Sequence, residues 1–326
     1  MRESTGRREW RTSGKLSTAV LAAFVLLLGP SSSAETSPWP GDAGMEIGRR
    51  GQPDGLPPDF EPSGLAWHPR LSRLLVVGDE GHLASLDPDG GPPRIWEVGG
   101  DLEAVAIADP STALVLLGVE HPDAIVEFDL ERGAETGRRW DLSDLMQGER
   151  KKCGLEALAV VEGRVYAGHQ CQAAIYVLEL YDEGRFEHLD TVMPEDGERD
   201  LAAMHWDEPI GTLYTVYDGP DRLVERSRDG APLREVHLPG SDQEGIATIA
   251  SCPEGTATVF IAEDGGRVMR FDAVPVDCPT WLDSWAVRIA AAGALLLAAW
   301  FTRLAWTRAR TSRAPRRRHG PQDGST

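Results

Sequence analysis

One pattern recurs five times between about residues 59 and 273, at a spacing of roughly 40–50 residues, and it limits the fold more than any other feature. Its starts read EPSGLAWHP (61–69), DLEAVAIAD (101–109), GLEALAVVE (154–162), DLAAMHWDE (200–208) and DQEGIATIA (242–250). Each places a Gly or Ala after an acidic or small residue, then alternates apolar side chains. A second strand-like run follows every start: RLLVVGDEG (73–81), ALVLLGVEH (113–121), RVYAGHQ (164–170), TLYTVYDG (212–219) and TVFIAEDGG (258–266). A third run closes most units on hairpin punctuation such as DPDG, LERG, YDEG and SRDG. A fourth appears in four of the five units, as in PPRIWEV (92–98) and APLREVHL (231–238). Short strands of period two in repeated groups of four predict an all-β propeller, because each group buries its faces only by stacking on its neighbours. Five blades are countable, and a sixth degenerate blade stays open. The fifth unit has no fourth strand after Asp272, and the segment 44–50, before the first unit, is expected to supply it and close the ring.

The ends belong to a different class. Arg2, Arg7, Arg8, Arg11 and Lys15 precede a short apolar run (16–28) and small residues at Ser32 and Ala34, which reads as a secretory signal peptide over 1–34. An uncleaved anchor is the alternative. After a linker (35–58) and the propeller (59–280), a second apolar run (285–302) has the length of one membrane crossing, with Trp281, Trp285, Trp300 and Trp306 near its two ends. The segment 281–306 is read as a transmembrane helix, against the alternative of a buried core helix. Arg303, Arg308, Arg310, Arg313 and Arg316–Arg318 follow it, so the basic tail (307–326) is assigned to the cytoplasm and the propeller to the extracytoplasmic side of the cell membrane.

Removing both ends leaves 20 basic and 48 acidic side chains over residues 35–280, a net charge of −28. Such a surface repels nucleic acid and suits cations. All four cysteines lie in this exported part, with no zinc-binding spacing. Cys153 precedes the first strand of the third unit and Cys171 ends the second. A hairpin turning at Glu162-Gly163 sets them nearly opposite, which predicts one bridge and leaves Cys252 to pair with Cys278. Four free buried thiols are the alternative.

The ordered set EPSGLAWHP, GLEALAV, DLAAMHWDEPIGTLYTVYDG and DQEGIAT resembles the SdiA-regulated (YjiK-like) propeller family over about residues 59–273, and more distantly the phytase-like esterase domains. The resemblance implies a propeller, a bound calcium ion and an exported or envelope location, but no defined reaction. The chain departs from the pattern at Ala202, where Glu or Ser is expected, and in its C-terminal helix and cysteines.

The start of strand one and the end of strand two share one mouth of a propeller channel, and here both are acidic. Glu103, Glu156 and Glu244 occupy one position of strand one, with Ser63 and Ala202 at its equivalents. Glu61, Asp101, Asp200 and Asp242 stand two residues earlier, and Glu80, Glu120, Asp218 and Asp264 end strand two. Converging carboxylates must be solvated, protonated or neutralised, and a hard cation such as Ca2+ fits them. The candidate metal set is Glu103, Glu156, Glu244, Asp218, Glu120 and Glu80. Turn acids pointing to water are the alternative for each. His121 and His169, with His82, stand near the same mouth as candidate general bases, although a loop histidine without a role is commoner. No nucleophile elbow, P-loop or zincin motif is present. Two functions follow: a calcium-dependent module holding an unknown ligand or protein partner at the channel mouth, or a metal-dependent phosphoesterase or lactonase.

Overall fold

The computed structural model describes residues 45–46, 55–147, 153–193 and 199–279, together with Gly293, Leu297 and Trp300. The expected signal peptide and basic tail, and all but those three positions of the expected anchor, lie outside the described residues. The three are helical, and among the described residues no helix is long and apolar enough to cross a membrane.

Twenty strands form five four-stranded antiparallel sheets. Blade 1 holds β2 (Pro62–His68), β3 (Arg73–Gly78), β4 (His82–Leu86) and β5 (Arg94–Glu97). Blade 2 holds β6 (Asp101–Ile107), β7 (Leu114–Glu120), β8 (Ala124–Asp129) and β9 (Ala134–Asp141). Blade 3 runs β10 (Leu155–Val161), β11 (Arg164–His169), β12 (Ile175–Leu180) and β13 (Phe186–Val192). Blade 4 runs β14 (Leu201–Asp207), β15 (Thr212–Tyr217), β16 (Arg222–Arg226) and β17 (Pro232–His237). Blade 5 takes three strands from the end of the domain, β18 (Gln243–Ser251), β19 (Thr256–Glu263) and β20 (Arg267–Pro275). Its fourth is β1 (Met45–Glu46), which pairs Met45 with Arg270 and Glu46 with Met269. The blade count is five; the described residues contain no sixth sheet.

The first strand of each blade packs against the first strands of both neighbours, with β18 meeting β2 to complete the ring. The core lies between the blades. Five apolar clusters, one per interface, are built from alternate faces of adjoining sheets, as where Leu75, Leu83 and Val77 of blade 1 meet Val105, Val115 and Leu117 of blade 2. A fully buried Leu contributes about 1.5–3 kcal/mol, so the ring is held by contacts that no isolated blade could make.

Near the axis the strands crowd, and this explains the Gly or Ala of the repeat. The positions are Gly64, Ala104, Ala157, Ala203 and Gly245. A Cβ on Gly64 would stand 2.8 Å from the Glu103 carbonyl oxygen of the next blade. The hairpin joining β10 to β11 turns at Glu162 (φ 49°) and Gly163 (φ 82°), the positive-φ pair that a two-residue turn requires. It brings Cys153 and Cys171 together in a disulfide with Cα atoms 5.5 Å apart. Cys252 and Cys278 form the second, at 5.4 Å, tying the hairpin of β18 and β19 to the segment after β20. No free cysteine remains.

Candidate functional site

All five first strands carry a β-bulge at the same place. The pairing with the second strand skips one residue between Pro62 and Gly64, Leu102 and Ala104, Leu155 and Ala157, Leu201 and Ala203, and Gln243 and Gly245. The skipped residues are Ser63, Glu103, Glu156, Ala202 and Glu244. A bulged residue has no partner across the ladder, and its strand bends there, which re-aims its side chain. The repeat therefore delivers one re-aimed residue per blade at the head of the axial channel, and in blades 2, 3 and 5 that residue is Glu.

Glu103, Glu156 and Glu244 line one axial cavity of about 10 Å³, together with Ala202 and, deeper, Leu65, Val105, Leu158 and Met204. That is room for about one water molecule or one ion. The Oε1 of Glu156 accepts a hydrogen bond from Gln170 Nε2 at 3.4 Å. Burial pushes the Glu103 carboxyl up to about 9, with the charges of Asp101 and Glu120 adding to it. Glu156 is raised well above the carboxylate range, first by burial and then by Glu103 and Glu244. Glu244 is pushed up to about 7 by burial and by Asp218 and Asp264. Three acids in one apolar-floored cavity cannot all ionise on their own, so they hold protons or surround a cation.

The other expected metal residues do not reach this cavity. Glu120, Glu80 and Asp218 stand around it on separate blades. Glu120 ends β7 opposite Asp101, and its side chain meets His121, with Oε2 and Nδ1 2.6 Å apart. Glu80 lies in the turn after β3, grouped with Glu61 and Asp79, and its Oε1 accepts the Glu61 backbone N–H at 3.1 Å. Asp218 follows β15 and is raised by burial and by Asp242. Asp200 and Asp242, at φ 58° and 56°, use the left-handed tolerance of Asp to turn into the first strands of blades 4 and 5. The single six-residue set expected from sequence is thus three axial carboxylates plus three rim positions, because strand two is one ladder spacing farther from the axis than strand one.

The histidines separate too. His121 is on the rim, with 47% of its side chain exposed. His169 is wholly buried; its Nδ1 accepts the Gln172 N–H at 3.3 Å, and burial lowers its pKa. A general base must reach the substrate, and His169 is closed off from solvent. His82 is half-buried against Phe60, with ring centroids 6.4 Å apart.

Sequence reasoning missed Asp79 and Asp123. Asp123 Oδ1 crosses from blade 2 to accept the Leu155 N–H at 2.8 Å, at the first residue of β10. Nothing in the repeat marks it, since it lies in the turn between the second and third strands. It missed the bulge as well, whose only trace is the small residue after each Glu.

No protein-family model matches the chain, and no curated protein matches it in sequence. Solved structures do match. Glutaminyl cyclase of Myxococcus xanthus aligns with a TM-score of 0.53 at 14% identity, over 74% of this chain and 100% of that one. The calcium-binding protein regucalcin of Agrobacterium tumefaciens aligns at 0.46 and 13% identity, over 76% and 98%, and a luciferin-regenerating enzyme at 0.47 and 14%, over 73% and 100%. The chain is a five-bladed β-propeller. At such identities the likeness concerns the fold alone, and propellers host many unrelated activities.

Proposed function

We propose that this propeller is anchored in the cell membrane with its blades in the extracytoplasmic space, that it holds Ca2+ between Glu103, Glu156 and Glu244, and that the same mouth receives a ligand or protein partner. The observation carrying the cation is the convergence of three bulged glutamates on one ion-sized cavity. All the donors are carboxylate oxygens, the ligands of hard cations, and three carboxylates offer up to about six of the roughly six to eight oxygens that Ca2+ takes. Because their pKa values are raised, carboxyls that bound the ion would release protons, so binding would be linked to pH. The resemblance of the five strand starts to SdiA-regulated propellers supports an exported location, as do the leader-like and anchor-like apolar runs at the two ends. The net charge of −28 over residues 35–280 argues against a nucleic-acid partner.

One observation favours a second reading, a metal-dependent phosphoesterase or lactonase. His121 stands on the same rim, in contact with Glu120, where a base beside a bound ion could activate water. The test is calorimetric titration of the full chain with Ca2+. One ion per chain is expected, with affinity falling roughly a hundredfold in Glu156→Gln. No binding at millimolar ion, or an unchanged affinity in that variant, overturns the calcium reading. Calcium-dependent turnover of generic phosphate esters or lactones would select the hydrolase over the binding module.

A further inference from the structure

Blade 2 carries a second cluster, off the axis and different in its chemistry. Asp101 and Glu120 are cross-strand partners at the open end of the β6–β7 pair, so their carboxylates face each other. His121 follows at φ 48°, a left-handed conformation that His adopts more readily than most residues. This turns its ring back over the pair, with Nδ1 2.6 Å from Glu120 Oε2 and 3.9 Å from Asp101 Oδ2. One ligand atom from each of the three residues lies within 4.8 Å of the other two.

A His–Glu ion pair alone does not account for this arrangement. Glu120 is only 8% exposed, and its second oxygen, Oε1, is buried without a hydrogen-bond partner among the described residues. A buried carboxylate oxygen left unpaired is costly, and such an atom in a native fold needs a partner. Oε1 faces the space that Gly154 leaves open. A Cβ on Gly154 would stand 2.8 Å from it and 2.2 Å from Asp123 Oδ1. Asp123 itself is fixed by the Leu155 N–H. Glu120 Oε1 and Asp123 Oδ1 thus approach each other over the bare Cα of Gly154, on a domain already strongly negative.

We infer that Asp101, Glu120 and His121 form a separate binding site for a borderline divalent metal of the Zn2+ or Co2+ class. The imidazole nitrogen distinguishes this site from the all-oxygen axial cavity: mixed nitrogen and carboxylate donors favour such metals, and purely carboxylate donors favour Ca2+. A metal held here would take the place of a proton between His121 Nδ1 and Glu120 Oε2 and would offset the charge of the buried Glu120 carboxylate. Three protein ligands leave coordination positions for water or a ligand group. Those positions open to solvent, since Asp101 and His121 are 41% and 47% exposed at their side chains. Asp101 borders the axial cavity, where its charge and a side-chain hydrogen bond act on Glu103, but neither ligand set contains a residue of the other.

The experiment is a Co2+ titration of the full chain in saturating Ca2+, followed by visible absorption and calorimetry. One Co2+ is expected to bind without displacing Ca2+, and His121→Ala and Asp101→Asn are each expected to weaken it at least about tenfold. Displacement of Co2+ by Ca2+ in equal amounts overturns the inference, and so does equal Co2+ affinity in the wild type and both variants. Glu120→Gln keeps the size and shape of the side chain. If it preserves the thermal melt and loses Co2+, the loss is one of ligation; if it keeps full Co2+ affinity, the site is not the one named.

Discussion

The axial cavity and the rim of blade 2 are both acidic, yet they are made in different ways. The axial glutamates come from three blades and meet because one bulge is repeated around the ring. The rim cluster comes from one hairpin end and owes its placing to a cross-strand pair, a positive-φ histidine and a glycine on the next blade. Repetition concentrates acids at the centre, where burial and mutual repulsion raise their pKa values. On the rim a histidine partly offsets the carboxylates: burial raises Glu120, and the charge of His121 acts against that rise. A symmetric device gives one donor type; a local device can mix them.

The largest expected effect is on pH dependence, and it should belong to the axis. A carboxyl raised in the folded state keeps a proton that the unfolded chain has released. Its stabilising contribution is therefore complete below the ordinary value of 4.5 and is lost as pH rises through the folded value, about 9 for Glu103 and about 7 for Glu244. Without divalent ions, thermal stability should fall steadily from pH 5 to pH 9, at up to about 1.4 kcal/mol per pH unit for each titrating group. Added Ca2+ should flatten the curve, and an apo curve that is flat or rises would break the contrast between axis and rim.

Next in size, Gly154→Ala attacks the rim. Its Cβ would enter the gap shared by Glu120 and Asp123, costing about 1–3 kcal/mol in urea denaturation. Co2+ affinity should fall more than Ca2+ affinity; an equal loss of both would mean that the two regions are one site. The smallest effect expected is from Ala202→Glu, which adds a carboxylate at the bulge of blade 4. Calcium affinity should rise about tenfold, or about 1.4 kcal/mol, while the apo protein loses stability at pH 8. Calorimetry and thermal melts on one preparation read both.

Much of the fold was legible before any coordinates, because a propeller writes its architecture as a period. The strand starts at 61, 101, 154, 200 and 242, the turn motifs and the missing fourth strand of unit five are local signals, each encoded within a few residues. The bridge between Cys153 and Cys171 was legible for the same reason, since one tight hairpin joins their strands. The candidate site was legible only in part. Glu103, Glu156 and Glu244 share a repeat position, which sequence can see; the bulge that aims them inward is a property of strand pairing, which it cannot. Glu80, Glu120 and Asp218, read from the ends of strand two, entered the same metal set as the axial three, but only the axial three line the cavity.

By itself, then, the sequence determined the all-β repeat, the disulfide framework, the acidity of residues 35–280 and the repeat position that carries Glu in three of the five blades. Those depend on composition and short-range pattern. Only the tertiary structure decided which carboxylates share a cavity, that His169 is sealed while His121 is open, and that Asp123 and Gly154 shape the rim. The reason is that ring closure brings together residues of different blades, and their separations depend on how tightly the first strands crowd around the axis.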